Sequence, residues 1–164
     1  MRYFYDTEFI EDGDTIDLVS IGIVDESGRE YYAVSTEFNP EKAVEWVRRN
    51  VLDKLPSPSD RAWKSPERIR AEIVEFLGAS AGRVELWAWV AAYDHVVLCQ
   101  LFGDMRALPQ HIPRWTHELK QRWEDLGSPP LPTATGDVHD ALVDARHNLE
   151  KWKVMHATGE WMNS

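Results

Sequence analysis

Three short segments of the chain place carboxylates where they could act on something. In Tyr5-Asp6-Thr7-Glu8-Phe9 the two acids are two residues apart, and because strand side chains alternate, both point to one face. Such a pair repels itself unless solvent or a cation accepts it; read alone, it is an exposed strand end. A third acid, Asp94, follows the apolar run Val84 to Val90 through Ala91-Ala92-Tyr93 and precedes Val96-Val97-Leu98. It is either a first-turn acid stabilising a helix dipole or, because sites in open α/β sheets gather where strands feed helices, a third oxygen ligand. The last segment is His139-Asp140-Ala141-Leu142-Val143-Asp144-Ala145-Arg146. On a continuous helix His139 and Asp144 would lie about 140° apart. With Asp140 as N-cap they become N′ and N4, the two positions that meet in a hydrophobic staple. The plainer alternative leaves Asp140 a cap, Asp144 a solvated acid balanced by Arg146, and His139 a surface side chain. Gathered together, the four carboxylates would suit a hard cation, Mg²⁺ or Mn²⁺, and an imidazole titrating near neutrality could accept a proton beside it.

The elements that must position these groups are readable from period and punctuation. Residues 2–9, 17–24 and 30–35 have strand character, with Asp25-Glu26-Ser27-Gly28 as the turn between the last two, so an antiparallel meander is expected. Ser65-Pro66-Glu67 supplies a cap, a first-position proline and a first-turn acid ahead of Ile69, Ile73, Phe76 and Leu77 on one helical face. Val84 to Val90 is expected to be a buried strand with Trp87 and Trp89 on one face, leading into a helix near Asp94. Trp115, Leu119, Arg122, Trp123 and Leu126 follow a helical stripe, and a second stripe runs from Val138 to His156 through Leu142, Ala145, Leu149 and Trp152. Strands first and then alternation with helices imply an α/β sheet.

Composition narrows the classes. With 164 residues, 43% hydrophobic and 28% charged, the chain is expected to form one domain with a sizeable core, and it has no apolar run of membrane-spanning length. The first residues show no apolar segment followed by a small-residue cleavage site, so a cytoplasmic location is expected. The lone Cys99 rules out an internal disulfide and is read as buried and inert. Eighteen basic against 28 acidic residues give a net charge of -10, which excludes a generalised binder of duplex phosphates.

The ordered set Asp-x-Glu on an early strand, Asp about 90 residues later at a strand-to-helix junction, and His-x-x-x-x-Asp opening the last helix resembles the DEDDh 3′-to-5′ exonucleases of the RNase H-like superfamily. The likeness covers roughly residues 2 to 157. Within that group, Asp-Thr-Glu-Phe in place of D-x-E-T-x-G, Tyr93-Asp94-His95 and the short chain are most similar to the bacterial polyadenylate-specific 3′-exoribonucleases (RNase AS). The resemblance implies an RNase H-like mixed five-stranded sheet flanked by helices, with residues 1–164 as one exonuclease domain. It implies Asp6, Glu8, Asp94 and Asp144 as ligands of two Mg²⁺ or Mn²⁺ ions and His139 as general base. The expected reaction is removal of nucleoside 5′-monophosphates, AMP from adenine-rich ends, from single-stranded RNA or a 3′ overhang by a homodimer.

Such a mechanism is physically sound. Phosphodiester hydrolysis needs a nucleophile at neutral pH and charge neutralisation on attacking and leaving oxygens, which two cations about 4 Å apart supply. Thr7, Glu8, Phe9 and His139 are the expected substrate contacts, Phe9 because it directly follows Glu8. Trp63, beside Arg61 and Lys64, and His95 are secondary candidates; Trp115, Trp123 and Trp152 read as packing or a subunit interface, and Arg48-Arg49 as a solvated helix face. Two other classes remain open at this point, a DNA exonuclease with the same site and a non-catalytic acidic interaction module.

Overall fold

Alternation along the first strands divides one sheet into two differently filled faces. The computed structural model describes the backbone of residues 1–79, 82–136 and 139–162, with side chains to residue 157. Strands β1 (Arg2–Glu11), β2 (Ile16–Asp25) and β3 (Glu30–Ser35) form the expected antiparallel meander. The turn between β2 and β3 closes through the Arg29 carbonyl, which accepts the Asp25 N–H, with Gly28 at φ +91°. Helix α1 (Glu45–Asn50) follows, then β4 (Trp63–Lys64), α2 (Pro66–Gly78), β5 (Glu85–Ala88), α3 (Ala92–Leu101), β6 (His117–Glu118), α4 (Leu119–Asp125) and α5 (Ala141–Met162). The sheet order is β4-β3-β2-β1-β5-β6, with β4, β5 and β6 each parallel to its inner neighbour.

Tyr3 and Tyr5 of β1, with Ile21 and Ile23 of β2, pack against Ile69, Ile73 and Leu77 of α2 and Leu98 and Leu101 of α3. Phe4 and Val24 point the other way, onto Ala145, Leu149 and Met155 of α5 and Leu119 of α4. Fully burying side chains of this size contributes about 1.5–3 kcal/mol each before chain entropy is counted. Helix α2 starts where the sequence predicts, the Ser65 hydroxyl accepting the Arg68 N–H at 3.4 Å. Cys99 is buried as expected.

Four expectations need correction. The mixed sheet has six strands rather than five, because the two-residue segments β4 and β6 pair at its edges. The strand expected over Val84 to Val90 ends at Ala88, so Trp87 is in the strand and Trp89 in the turn after it; Val90 sits at φ +58° with its N–H donated to Glu118 Oε1 at 2.8 Å. The stripe beginning at Trp115 is not one helix: residues His117 and Glu118 pair with Trp87 and Ala88, and α4 begins only at Leu119. Helix α5 begins at Ala141; Val138, the expected start, lies outside the described residues.

Candidate active site

Asp6 and Glu8 continue the face of β1 that carries Phe4, so the apolar layer under α5 becomes acidic toward the C-terminal end of that strand. Pairing of β1 with β5 extends only from Arg2 to Phe4. Beyond it the Thr7 N–H donates to Asp94 Oδ1 at 2.8 Å, and the Thr7 hydroxyl donates to the same oxygen at 2.7 Å. Asp94, in the first turn of α3 and 5% exposed, therefore takes the place of a strand partner and is fixed beside β1. The junction carrying it is clamped from β6: Glu118 accepts the Val90 and Ala91 N–H groups at 2.8 and 2.7 Å.

Asp144 arrives from the opposite side. Asp140 caps α5, accepting the Leu142 and Val143 N–H groups at 2.9 and 3.1 Å, and the His139 N–H donates to Asp144 Oδ2 at 2.9 Å. This is the N′-to-N4 approach considered from the sequence, with His139 held at φ +66°. The helix comes this close to the sheet because Gly22, paired with Asp6 across β1 and β2, has no side chain: a Cβ there would overlap the Ala141 carbonyl and the Leu142 Cα. Glu8, His139 and Asp144 each offer a ligand atom, and these atoms lie within 4.8 Å of one another.

Asp6, Glu8, Asp94, His139 and Asp144 thus border a single cavity of about 300 Å³. Burial pushes the Asp6 carboxyl well above its usual range, and Asp94, Glu8 and Asp144 push it further. Burial, then Asp144 and Asp94, raises Glu8 to about 8. Asp94 is raised to about 6, chiefly by burial, against the pull of the Thr7 hydrogen bonds. So many acids in one recess are mutually unfavourable, and a divalent cation among them reverses that sign. The donor set, carboxylate oxygens with one imidazole, fits a hard cation such as Mg²⁺ or Mn²⁺.

The other expected contacts divide. Phe9 borders the cavity, stacked on Tyr93 with ring centroids 5.5 Å apart. Thr7 borders it too, but is buried and engaged with Asp94. His95 faces away, its ring nitrogens against Thr116 Oγ1 at 3.1 Å and Cys99 Sγ at 3.5 Å. Trp63 lies at the far edge of the sheet, stacked on Phe38 and donating its indole N–H to the Pro56 carbonyl. Sequence reasoning missed Trp46 of α1, half exposed and edge-on to the His139 ring at 4.8 Å, and Trp89, Val90 and Tyr93, which wall the same cavity. No sequence signal singled out Trp46; the turn after β5 was the available pointer to the others.

A mixed sheet with helices on both faces and an acid-lined cleft beside its central strand β1 fits a nuclease, and the comparisons give the family. The chain belongs to the family described as the 3′-5′ exoribonuclease Rv2179c-like domain, matched over residues 1–156. It is 59% identical over 161 residues to the 3′-5′ exoribonuclease Rv2179c of Mycobacterium tuberculosis strain H37Rv and equally to the 3′-5′ exoribonuclease MT2234.1 of strain CDC 1551. Each alignment covers 98% of this chain and 96% of the relative. Among solved structures its fold is similar to the nuclease domain of 3′hExo, a DEDDh family member bound to rAMP, at a TM-score of 0.60 and 13% identity over 96% of this chain and 92% of that one. A full-length 3′-exonuclease is similar at 0.57 and 14%, over 96% and 82%. The expected exoribonuclease family is therefore shown, and the mixed α/β fold is similar to that of a DEDDh nuclease domain. Among the described residues no helix is long and apolar enough to cross a membrane.

Proposed function

We propose that this cleft removes nucleotides from the 3′ end of single-stranded RNA or a short 3′ overhang, releasing nucleoside 5′-monophosphates. The observation that carries the reading is the meeting of four acids and one histidine, from β1, α3 and α5, in one cavity. Asp6, Glu8, Asp94 and Asp144 hold two divalent cations, Mg²⁺ or Mn²⁺. Bound there, the cations stabilise charge on the attacking and leaving oxygens. His139 takes the proton from the attacking water, the task its position beside Glu8 and Asp144 suits. Phe9 and Tyr93 offer an aromatic wall against which a terminal base can pack.

Adenine preference, with AMP as product, rests on likeness alone: the motif resembles polyadenylate-specific enzymes, and one solved neighbour was bound to rAMP. We assign the protein to the cytoplasm and, from exposed Trp46 and Trp115, to a homodimer; light scattering at the mass of one chain across working concentrations would reject the dimer. The function is tested with 5′-labelled RNA ending in adenosines, in Mg²⁺ or Mn²⁺. A ladder shortening stepwise from the 3′ end and slowing at other bases supports the whole reading. Internal cuts, or full activity in excess chelator, would overturn it; equal rates on every base would remove only the adenine preference, and equal rates on DNA only the choice of RNA.

A further inference from the structure

One charged group beside the cleft has no part in the mechanism above. Asp144, Asn148 and Lys151 are spaced i, i+4 and i+7 on α5, one face of the helix over two turns. Asn148, 1% exposed, donates its amide to the carbonyl of Tyr5, the residue before Asp6, at 3.2 Å. Its own carbonyl oxygen accepts from the Lys151 ammonium at 3.2 Å. That ammonium also lies 4.3 Å from the centroid of the Trp89 ring, which walls the cavity. Lys151 is thus partly buried, held by an amide on one side and on the other by the face of an aromatic ring that walls the acidic cavity.

We propose that Lys151 is a resident counter-charge of the carboxylate cluster: it offsets acid–acid repulsion when no cation is bound, and it weakens divalent binding so that the site exchanges metal rather than trapping it. The inference rests on the metal-site reading given under Proposed function. Burial works against the lysine's charge while Asp144 and Asp6 favour it. The sign of its effect then changes with occupancy. An ammonium among free carboxylates is attractive; once a divalent cation is present, the two positive charges repel. For a separation of about 10 Å between the ammonium and a bound divalent cation, repulsion weakens binding about fourfold even at the dielectric constant of water.

The test is Lys151→Met, which keeps an unbranched chain against Trp89, beside Lys151→Arg, which keeps the charge. Melting temperature is measured with chelator and with Mn²⁺, and Mn²⁺ affinity by titration calorimetry, all at low salt to limit screening. The expected result is a lower metal-free melting temperature for Lys151→Met, a larger rise on adding Mn²⁺ and about fourfold or greater tightening of Mn²⁺ binding, with Lys151→Arg close to wild type. A fall of equal size with and without Mn²⁺ means packing only and overturns the proposal. So does unchanged Mn²⁺ affinity with a raised KM for RNA, which would make the lysine a substrate contact. If Lys151→Met does not fold on expression, refolding that succeeds only with Mn²⁺ supports the proposal and refolding that fails in both conditions rejects it. Absence of any Mn²⁺ effect on the wild-type protein would instead bring down the metal-site reading itself.

Discussion

Asp25 and Asp6 sit on adjacent central strands, three register positions apart and on opposite faces of the same hairpin, and are treated in opposite ways. Asp25, paired with Tyr3, closes the β2–β3 turn: its carboxylate accepts from the Ser27 N–H and hydroxyl, the Arg29 N–H and the Arg29 guanidinium, all within 3.0 Å. Burial would raise its pKa, but those hydrogen bonds win and hold it below the usual range. Asp6, paired with Gly22, instead faces Glu8, Asp94 and Asp144, and is raised. A satisfied acid on one face stabilises a turn; acids left facing one another on the other face are what the proposed ligand site requires. The two faces of one hairpin thus treat their carboxylates differently through their partners, Asp25 being fully buried and Asp6 partly so.

That contrast is broken most severely on the acidic face. Asp144→Asn or Asp6→Asn is expected to abolish exonuclease turnover while the metal-free protein melts at or above the wild-type temperature, since one member of a repelling set has been neutralised. Labelled-RNA digestion and a melting scan on the same preparation check both halves. A variant that is both inactive and strongly destabilised would make these acids structural, like Asp25.

His139 tests the next level. At φ +66° alanine is strained, whereas asparagine adopts this region more readily, so His139→Asn isolates the imidazole from the backbone bend that brings residue 139 to Asp144. Turnover is expected to fall by about 10²–10⁴, the usual contribution of a general base, while Mn²⁺ still raises the melting temperature. Wild-type turnover in this variant would remove His139 from the base role.

Gly22→Ala is expected to affect both properties at once. The added methyl meets the Ala141 carbonyl and the Leu142 Cα, backbone atoms that cannot swing aside, so α5 must shift. Overpacking of this kind costs about 1–3 kcal/mol, and Asp144 moves with the helix. Chemical denaturation and the RNA assay should both show a loss. Unchanged activity at reduced stability would mean that the site tolerates displacement of α5.

The acidic site was legible in the sequence through the order of its three segments and the family they resemble; read singly, each segment fitted a plain structural role, although the local geometry follows from the sequence. Asp6 and Glu8 follow strand alternation, Asp140 is a cap, and the cap itself fixes the relation of His139 to Asp144. What closes the site is not local. Glu118 reaches back 27 and 28 residues to hold Ala91 and Val90, and its role depends on a two-residue edge strand that a helical stripe from Trp115 concealed. Trp46 meets His139 across 93 residues of sequence, from a short helix with no buried residue. Contacts of this kind are set by tertiary placement rather than by propensity, as is the closeness of Gly22 to α5, which only the helix position reveals.

The smallest expected effect belongs to the satisfied acid. The folded-state pKa of Asp25 is depressed, so its contribution to stability is fully present above the unfolded value, near 3.9, and is lost as pH falls through that value toward the lower folded one. Asp25→Asn keeps the shape of the side chain and the acceptor Oδ1 but removes the charge and, with Oδ2, the hydrogen bond from Arg29 Nε. Arg29 is substantially exposed, so the penalty at neutral pH is small. The stability difference between wild type and Asp25→Asn, from denaturant melts, should be flat between about pH 5 and 7 and shrink below about pH 4. Carboxylates common to both proteins cancel in that difference, including those on the other face, provided chelator keeps metal from adding its own pH dependence. A difference that instead grew as the pH fell would mean that the Asp25 pKa is raised in the folded state, and the distinction between the two faces of the hairpin would then rest on position alone.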